Sequence, residues 1–238
     1  MHNISLTSKE MITEGTMLFR FTKPAGFAHQ AGQTLDIALI DPKDTDSEGN
    51  MRTFSIVSSP QETDIAIATR MRDTAFKRTL RDMTPGTEVS ADGPFGSFLL
   101  HENAKRPAVF LSGGIGITPF RAMIRDATER ALPHTLILFY SNRRPEDAAF
   151  LEELQALQKH NPHFTLVATM TDMEKSSRAW EGERGYIDQA MLKKYIPADS
   201  QPIYYLAGPQ TMVSAMRVVL RESGVSNDDI RFEEFSGY

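Results

Sequence analysis

Apolar and polar positions alternate through the first hundred residues with the two-residue period of β-strands. Ile4 and Leu6 alternate with polar neighbours, as do Met17, Phe19 and Phe21, which predicts two half-buried strands. The runs over 35–40, 52–57 and 64–71 predict three more, and Glu88-Val89 begins another that Gly93-Pro94-Phe95-Gly96 is expected to break. Phe76, Leu80 and Met83 share one side of a short helix over 75–83, with Thr74 placed to cap it. The polar stretch 41–50, with four acidic residues and a glycine, reads as a solvated loop rather than a metal site. Short strands, regular turns and one helix predict a small antiparallel barrel.

From about residue 105 strands alternate with helices. Strands are expected over 108–111, 135–140, 164–170 and 203–206, and Ile230-Arg231-Phe232 leads the chain out. Phe120, Met123, Ile124, Ala127 and Ala131 share a helical face, and so do Phe150, Leu154 and Leu157 after Pro145, which fits a first helical position. Asp188 is placed to cap a short helix, and Met212, Val213, Met216, Val219 and Leu220 point one helix inward. This order predicts a parallel sheet with helices on both faces. The polar stretch from His101 to Arg106 marks the boundary, giving domains of 1–103 and 104–238. The fold class is therefore β followed by α/β.

Composition removes several function classes. The 238 residues suffice for two modest domains, and 40% apolar with 24% charged residues is ordinary for a soluble protein. A net charge of −5 argues against a broad grip on nucleic acid. The absence of cysteine excludes a disulfide framework, a thiol nucleophile and a cysteine-ligated iron–sulfur cluster within this sequence. No apolar run approaches the ~20 residues of a membrane span, and the first residues lack a signal-peptide pattern, so a cytoplasmic location is the default expectation. The six histidines (His2, His29, His101, His134, His160, His163) show no metal-ligand spacing and read as surface residues, and no metal site is expected.

Four stretches and one possible cap carry candidate chemistry. Ser112-Gly113-Gly114-Ile115-Gly116-Ile117-Thr118-Pro119 joins a buried strand to a helix start. Its glycines permit close backbone approach to an anion, and the helix offers free N–H groups. Glycine turns also join strands to helices with no ligand, and at this point both readings stand. Ala207-Gly208-Pro209 lies at a second strand end and could line the same crevice. Arg52-Thr53-Phe54-Ser55 places Arg52 and Phe54 on one face of a strand and Thr53 and Ser55 on the other. Thr74, after Arg70 and Arg72, is a further phosphate candidate or a plain cap. The end of the chain, Phe232-Glu233-Glu234-Phe235-Ser236-Gly237-Tyr238, is too aromatic for a frayed terminus and is expected to dock.

In this order and spacing the four stretches resemble the ferredoxin–NADP reductase superfamily, over essentially the whole chain. The resemblance implies a six-stranded flavin-binding barrel followed by a nicotinamide-nucleotide domain. It implies FAD rather than FMN as cofactor, and NADPH or NADH as electron donor. It implies that Arg52 holds the flavin phosphate, that Phe54 packs on the flavin and that Ser55 bonds near flavin N5, with Thr53 beside them. Thr69, Arg70, Met71 and Thr74 would add flavin contacts. Gly113, Gly114, Gly116, Ile117 and Thr118 would face the nucleotide, joined by Gly208 and Pro209. Glu233 would stand near the reacting centre, Phe235 on the flavin face and Tyr238 over the flavin or its adenine end. The chain departs from the family in Phe54, where tyrosine is usual, and in Ala207, where cysteine is frequent. No acid follows the second strand of the second domain, and Ser141 and Arg143 suit a ribose 2′-phosphate, which favours NADPH.

The implied activity passes hydride from NAD(P)H to FAD and electrons on to a separate ferredoxin, flavodoxin, oxygenase component or small acceptor. A free-flavin reductase, with flavin as substrate, and a non-catalytic nucleotide-sensing subunit are the alternatives.

Overall fold

The computed structural model describes residues 1–235. Two six-stranded sheets form its framework. The first contains β1 (His2–Thr13), β2 (Thr16–Thr22), β3 (Thr34–Leu39), β4 (Met51–Ser55), β5 (Asp64–Arg70) and β6 (Glu88–Phe95). Its order is β4-β3-β6-β1-β2-β5, with every pairing antiparallel. The two outer strands approach each other, and just beyond β4 the Val57 N–H donates to the Ala66 carbonyl of β5 at 2.8 Å, which draws the sheet round on itself. Alternation explains the interior: Ile4, Leu6, Phe19, Phe21, Leu35, Ile37, Ile65, Ile67 and Val89 form one apolar cluster. α1 (Ala75–Asp82) closes it with Phe76 and Leu80, capped by Thr74 as expected. β6 does not break at Gly93-Pro94. A register shift in its pairing with β3, between Thr34 and Asp36, absorbs that dipeptide and carries the strand on to Phe95.

The second sheet contains β7 (Ala108–Gly113), β8 (Leu136–Asn142), β9 (Phe164–Met170), β10 (Glu183–Arg184), β11 (Ile203–Pro209) and β12 (Ile230–Phe235). All its pairings are parallel, in the order β10-β9-β8-β7-β11-β12. β7 is buried throughout, as a central parallel strand should be. α2 (Ile117–Glu129) and α3 (Leu151–His160) cover one face of the sheet. α4 (Gln189–Tyr195) and α5 (Gln210–Glu222) cover the other. α4 is capped by Asp188, which accepts from Met191 N at 2.7 Å.

Two further sequence expectations need correction, and one short strand was not foreseen. Pro145 opens only a short 3-10 turn over 145–147, and α3 starts after Phe150, which is held at φ 60. The two-residue β10 carries too little apolar pattern to be read from sequence. It is seated by Trp180, whose Nε1–H donates to the Glu183 carbonyl at 2.8 Å. His29, His101 and His134 are buried, not superficial. Each has at least one ring nitrogen hydrogen-bonded, while Nδ1 of His29 and of His134 is left without a partner: His29 Nε2 lies 3.2 Å from the Ser58 carbonyl, His101 Nδ1 is 3.0 Å from the Tyr205 hydroxyl, and His134 Nε2 is 2.8 Å from the His101 carbonyl. Burial pushes the His29 and His101 pKa values down, which keeps both rings neutral. Among the described residues no helix is long and apolar enough to cross a membrane.

Candidate functional site

β7 sits between β8, reached by the outward-running half of the chain, and β11, reached on its return. The strand order therefore reverses between β7 and β11, and ligands of open parallel sheets lie beyond the carboxyl ends of the strands at such a point. The residues found there are Ser112 and Gly113 from β7, Ala207, Gly208 and Pro209 from β11, and Glu233 to Phe235 from β12. Ser112 pairs with Ala207, and Ala207 in turn with Glu233. The sheet brings these stretches to one edge.

The glycines at this edge serve a packing role. A Cβ on Gly116 would collide with the Ala207 carbonyl, and one on Gly208 (φ +154) would lie 3.1 Å from Gly113 N. The two turns are pressed together, so their missing side chains are required by each other. Gly114 takes a left-handed φ of 53 and opens the 3-10 turn that leads into α2. Ile117 is wholly buried in the sheet core and its N–H is taken by the Gly114 carbonyl, so, against the sequence expectation, it does not face a ligand. Thr118 Oγ1 donates to the Ile115 carbonyl at 3.1 Å and fixes the turn from inside. Ile115 packs on Val57, Ala66 and Ala68 of the first sheet, so the turn is also the point where the two halves of the chain meet.

On the barrel side, Arg52 and Phe54 share one face of β4 with Phe76 beside them. Phe54 and Phe76 have ring centroids 5.9 Å apart, and the Arg52 guanidinium lies 5.2 Å from the Phe76 centroid. Met71 joins this apolar group. Thr53 lies on the opposite face and donates to Asp36, away from Arg52. Ser55, two residues before Val57, is buried. Thr69 is buried near the end of β5, and Arg70, the last residue of that strand, is partly exposed. Lys77 Nζ donates to the Arg70 carbonyl at 2.7 Å, tying the end of β5 to α1.

Buried polar atoms without partners mark where a ligand would be satisfied. Ser55 Oγ, Ser112 Oγ and Glu233 Oε2 are three of them. Burial pushes the Glu233 carboxyl up to about 7. With the cationic Arg52 beside the start of α1, these groups fit a ligand that carries both a polar ring system and a phosphate. Ser112 was not singled out from sequence as a site residue. Its signal was a hydroxyl ending an otherwise apolar buried strand. Ser141 is half-buried and Arg143 exposed at the end of β8, opposite the end of β9. Arg144 is committed elsewhere, to Asp147 at 2.8 Å and Glu14 at 2.9 Å. Phe235 pairs with Pro209, and Tyr238 lies outside the described residues.

Residues missed from sequence hold the two halves together. Arg121 on α2, only 4% exposed, donates to the Val57 carbonyl at 2.9 Å and pairs with Glu62 at 2.5 Å and Glu153 at 2.8 Å. Ser59 Oγ donates to Glu129 at 2.5 Å. Burial alone would raise the Glu62 pKa, but hydrogen bonding and charge from Arg121 bring it below the ordinary carboxylate value.

Residues 110–218 match the oxidoreductase NAD-binding domain family. The chain is 32% identical over 160 residues to one component of the Na(+)-translocating NADH-quinone reductase of Methylococcus capsulatus, a match covering 66% of this chain and 39% of that protein. It is 29% identical over 224 residues to the glycine betaine monooxygenase reductase subunit of Chromohalobacter salexigens, covering 92% of this chain and 60% of the relative. The chain thus spans between two-fifths and three-fifths of the length of these relatives. A ferredoxin NADP+ reductase from Neisseria gonorrhoeae, solved with bound FAD and NADP, superposes with a TM-score of 0.80 at 20% identity, covering 98% of both chains. The FAD/NAD-binding domain of a Vibrio cholerae nitric oxide dioxygenase gives 0.82 at 18% identity, again over 98% of both.

Proposed function

We propose that this chain belongs to the ferredoxin–NADP reductase superfamily and that it passes hydride from NAD(P)H to FAD and electrons on to a separate acceptor, a reading supported by the NAD-binding domain match over residues 110–218. The observation that carries the proposal is the seam at the strand-order reversal. There the paired turns of β7 and β11, the end of β12 and the barrel wall meet, and Ser55, Ser112 and Glu233 carry buried polar atoms without partners. In this reading residues 1–103 form the flavin domain and 104–238 the nucleotide domain.

The flavin, when bound, supplies the redox chemistry by accepting a hydride and releasing electrons singly. The chain supplies position and electrostatics. Phe54 and Phe76 offer an apolar wall. Arg52, Arg70 and the start of α1 supply positive charge for phosphate, while Thr69, Met71 and Thr74 add neutral contacts. Ser55 holds a hydroxyl at the reacting edge. The turn from Gly113 to Thr118, with Gly208 and Pro209, forms the wall against which the nucleotide lies. Glu233 keeps an ionisable carboxyl in a water-poor site, and Phe235 lies on the flavin face. Ser141 and Arg143 meet the ribose end of the nucleotide.

The acceptor in this reading is a ferredoxin, flavodoxin or oxygenase component, or a small molecule; no cysteine-ligated iron–sulfur centre forms within these 238 residues. That a relative is the reductase subunit of a monooxygenase supports the oxygenase component. An absorption spectrum of the purified protein incubated with FAD, followed by anaerobic addition of NADPH or NADH, tests the reading. Bleaching of bound flavin is expected. Absence of flavin binding, or bound flavin that neither nucleotide bleaches, overturns it.

A further inference from the structure

The acidic stretch between β3 and β4 does not behave as a free solvated loop. Asp46 bends back across the barrel and touches two elements at once. Its Oδ2 accepts from Ala75 N, the first residue of α1, at 2.9 Å, and its Oδ1 lies 3.4 Å from Arg52 Nη2. Glu48 Oε2 meets the same nitrogen at 2.8 Å. Arg52 Nη1 is spent on the carbonyls of Glu48 (2.8 Å), Gly49 (3.1 Å) and Met51 (2.7 Å). A second tie, Asp44 to Arg78 at 2.7 Å, fastens the loop to α1.

One carboxylate therefore occupies a guanidinium and a helix-start N–H together. These are the two donor types from which a phosphate site is built. A phosphate bound there must compete with Asp46 for both. We propose that Asp46 is an internal competitor for the phosphate end of the flavin, so that flavin seats only when the 41–50 loop releases Arg52 and Ala75. This rests on the flavin reading above and deepens it. The chain binds flavin as an exchangeable ligand whose affinity is set by its own loop.

The test is a flavin-fluorescence titration of flavin-free protein with FAD, FMN and riboflavin. Asp46→Asn keeps the shape of the loop and an acceptor for Ala75 but removes the charge. It is expected to tighten FAD and FMN about tenfold, roughly the worth of one charge-assisted hydrogen bond, and to leave riboflavin, which has no phosphate, unchanged. Glu48→Gln frees the same guanidinium without touching α1 and is expected to tighten FAD about threefold. Asp44→Asn loosens the loop from Arg78 but leaves Asp46 on Arg52 and Ala75, and is expected to tighten FAD less than Asp46→Asn does. FAD affinity that is unchanged or weakened in Asp46→Asn overturns the proposal while leaving the flavin site standing. So does an equal gain for riboflavin. If neither wild type nor variant takes up any flavin, the flavin reading itself falls and the competitor role falls with it.

Discussion

Glu233 stands opposite Ala207 in the parallel pairing of β12 with β11, with its Oε2 buried and without a hydrogen-bond partner. The small Ala207 side chain offers that carboxyl no polar neighbour. Desolvation therefore acts unopposed and lifts the Glu233 pKa to about 7.

That value sets a pH dependence. The unfolded chain titrates Glu233 near its ordinary 4.5 and the folded chain near 7. The neutral acid therefore favours the fold fully below about 4.5, and this contribution is lost as pH rises through 7. Glu233→Gln is expected to raise the melting temperature by roughly 3–8 °C more at pH 8.5 than at pH 5. Nucleotide-driven flavin reduction in the wild type should change rate through pH 7, and the variant should flatten that profile. An identical melting shift at both pH values would remove the buried-acid assignment.

Ser55 gives a prediction in which stability and rate separate. Its buried hydroxyl has no partner in the chain, so Ser55→Ala removes an uncompensated polar group and should leave the melting temperature unchanged or slightly higher. The same change should slow anaerobic flavin reduction about tenfold, with flavin affinity altered by less than twofold. Stopped-flow reduction at the wild-type rate would refute a role at the reacting edge.

Arg121 and Glu62 hold the seam between the two sheets. Removing one member leaves the other charge buried and unpaired, so Arg121→Ala is expected to cost about 3 kcal/mol in urea unfolding. The double change Arg121→Met with Glu62→Gln should cost less than the sum of the single changes. The Glu62 pKa is lowered in the fold, so its contribution is present above the ordinary 4.5 and is lost as pH falls through the lower folded value. Unfolding midpoints at pH 7 and pH 3 measure both effects, and strictly additive single changes would mean that the pair is not coupled.

The barrel and the parallel sheet were legible because their signals are local. Ile4, Leu6, Phe19 and Phe21 announce buried strand faces, and Thr74 and Asp188 announce helix starts. The seam was partly legible, because its glycine turns sit at strand ends. Long-range geometry decides what was missed. His101 is buried only because Tyr205, more than a hundred residues away, brings its hydroxyl within 3.0 Å of the ring. Asp46 looked solvated because Ala75, which it meets, lies 29 residues further on. Glu62 and Arg121 lie on different sheets' elements, and their spacing in sequence carries no sign of the contact.

The choice of nucleotide turns on two adjacent arginines that the structure treats differently. Arg144 is held by Asp147 and Glu14 and has structural work to do. Arg143, at the end of β8, is exposed and makes no ion pair among the described residues, while its carbonyl accepts from Asp172 N at 2.9 Å and fixes the backbone beneath it. A held backbone under an uncommitted guanidinium suits a ribose 2′-phosphate. Arg143→Gln is therefore expected to raise KM for NADPH about tenfold and to leave KM for NADH within twofold. Arg144→Gln should leave both KM values within twofold and lower the melting temperature by a few degrees instead. Steady-state reduction of a dye acceptor with each nucleotide measures the four constants. Equal responses of NADPH and NADH to Arg143→Gln, or a wild type that prefers NADH, would detach Arg143 from the phosphate and leave the ribose end to be recognised by other groups.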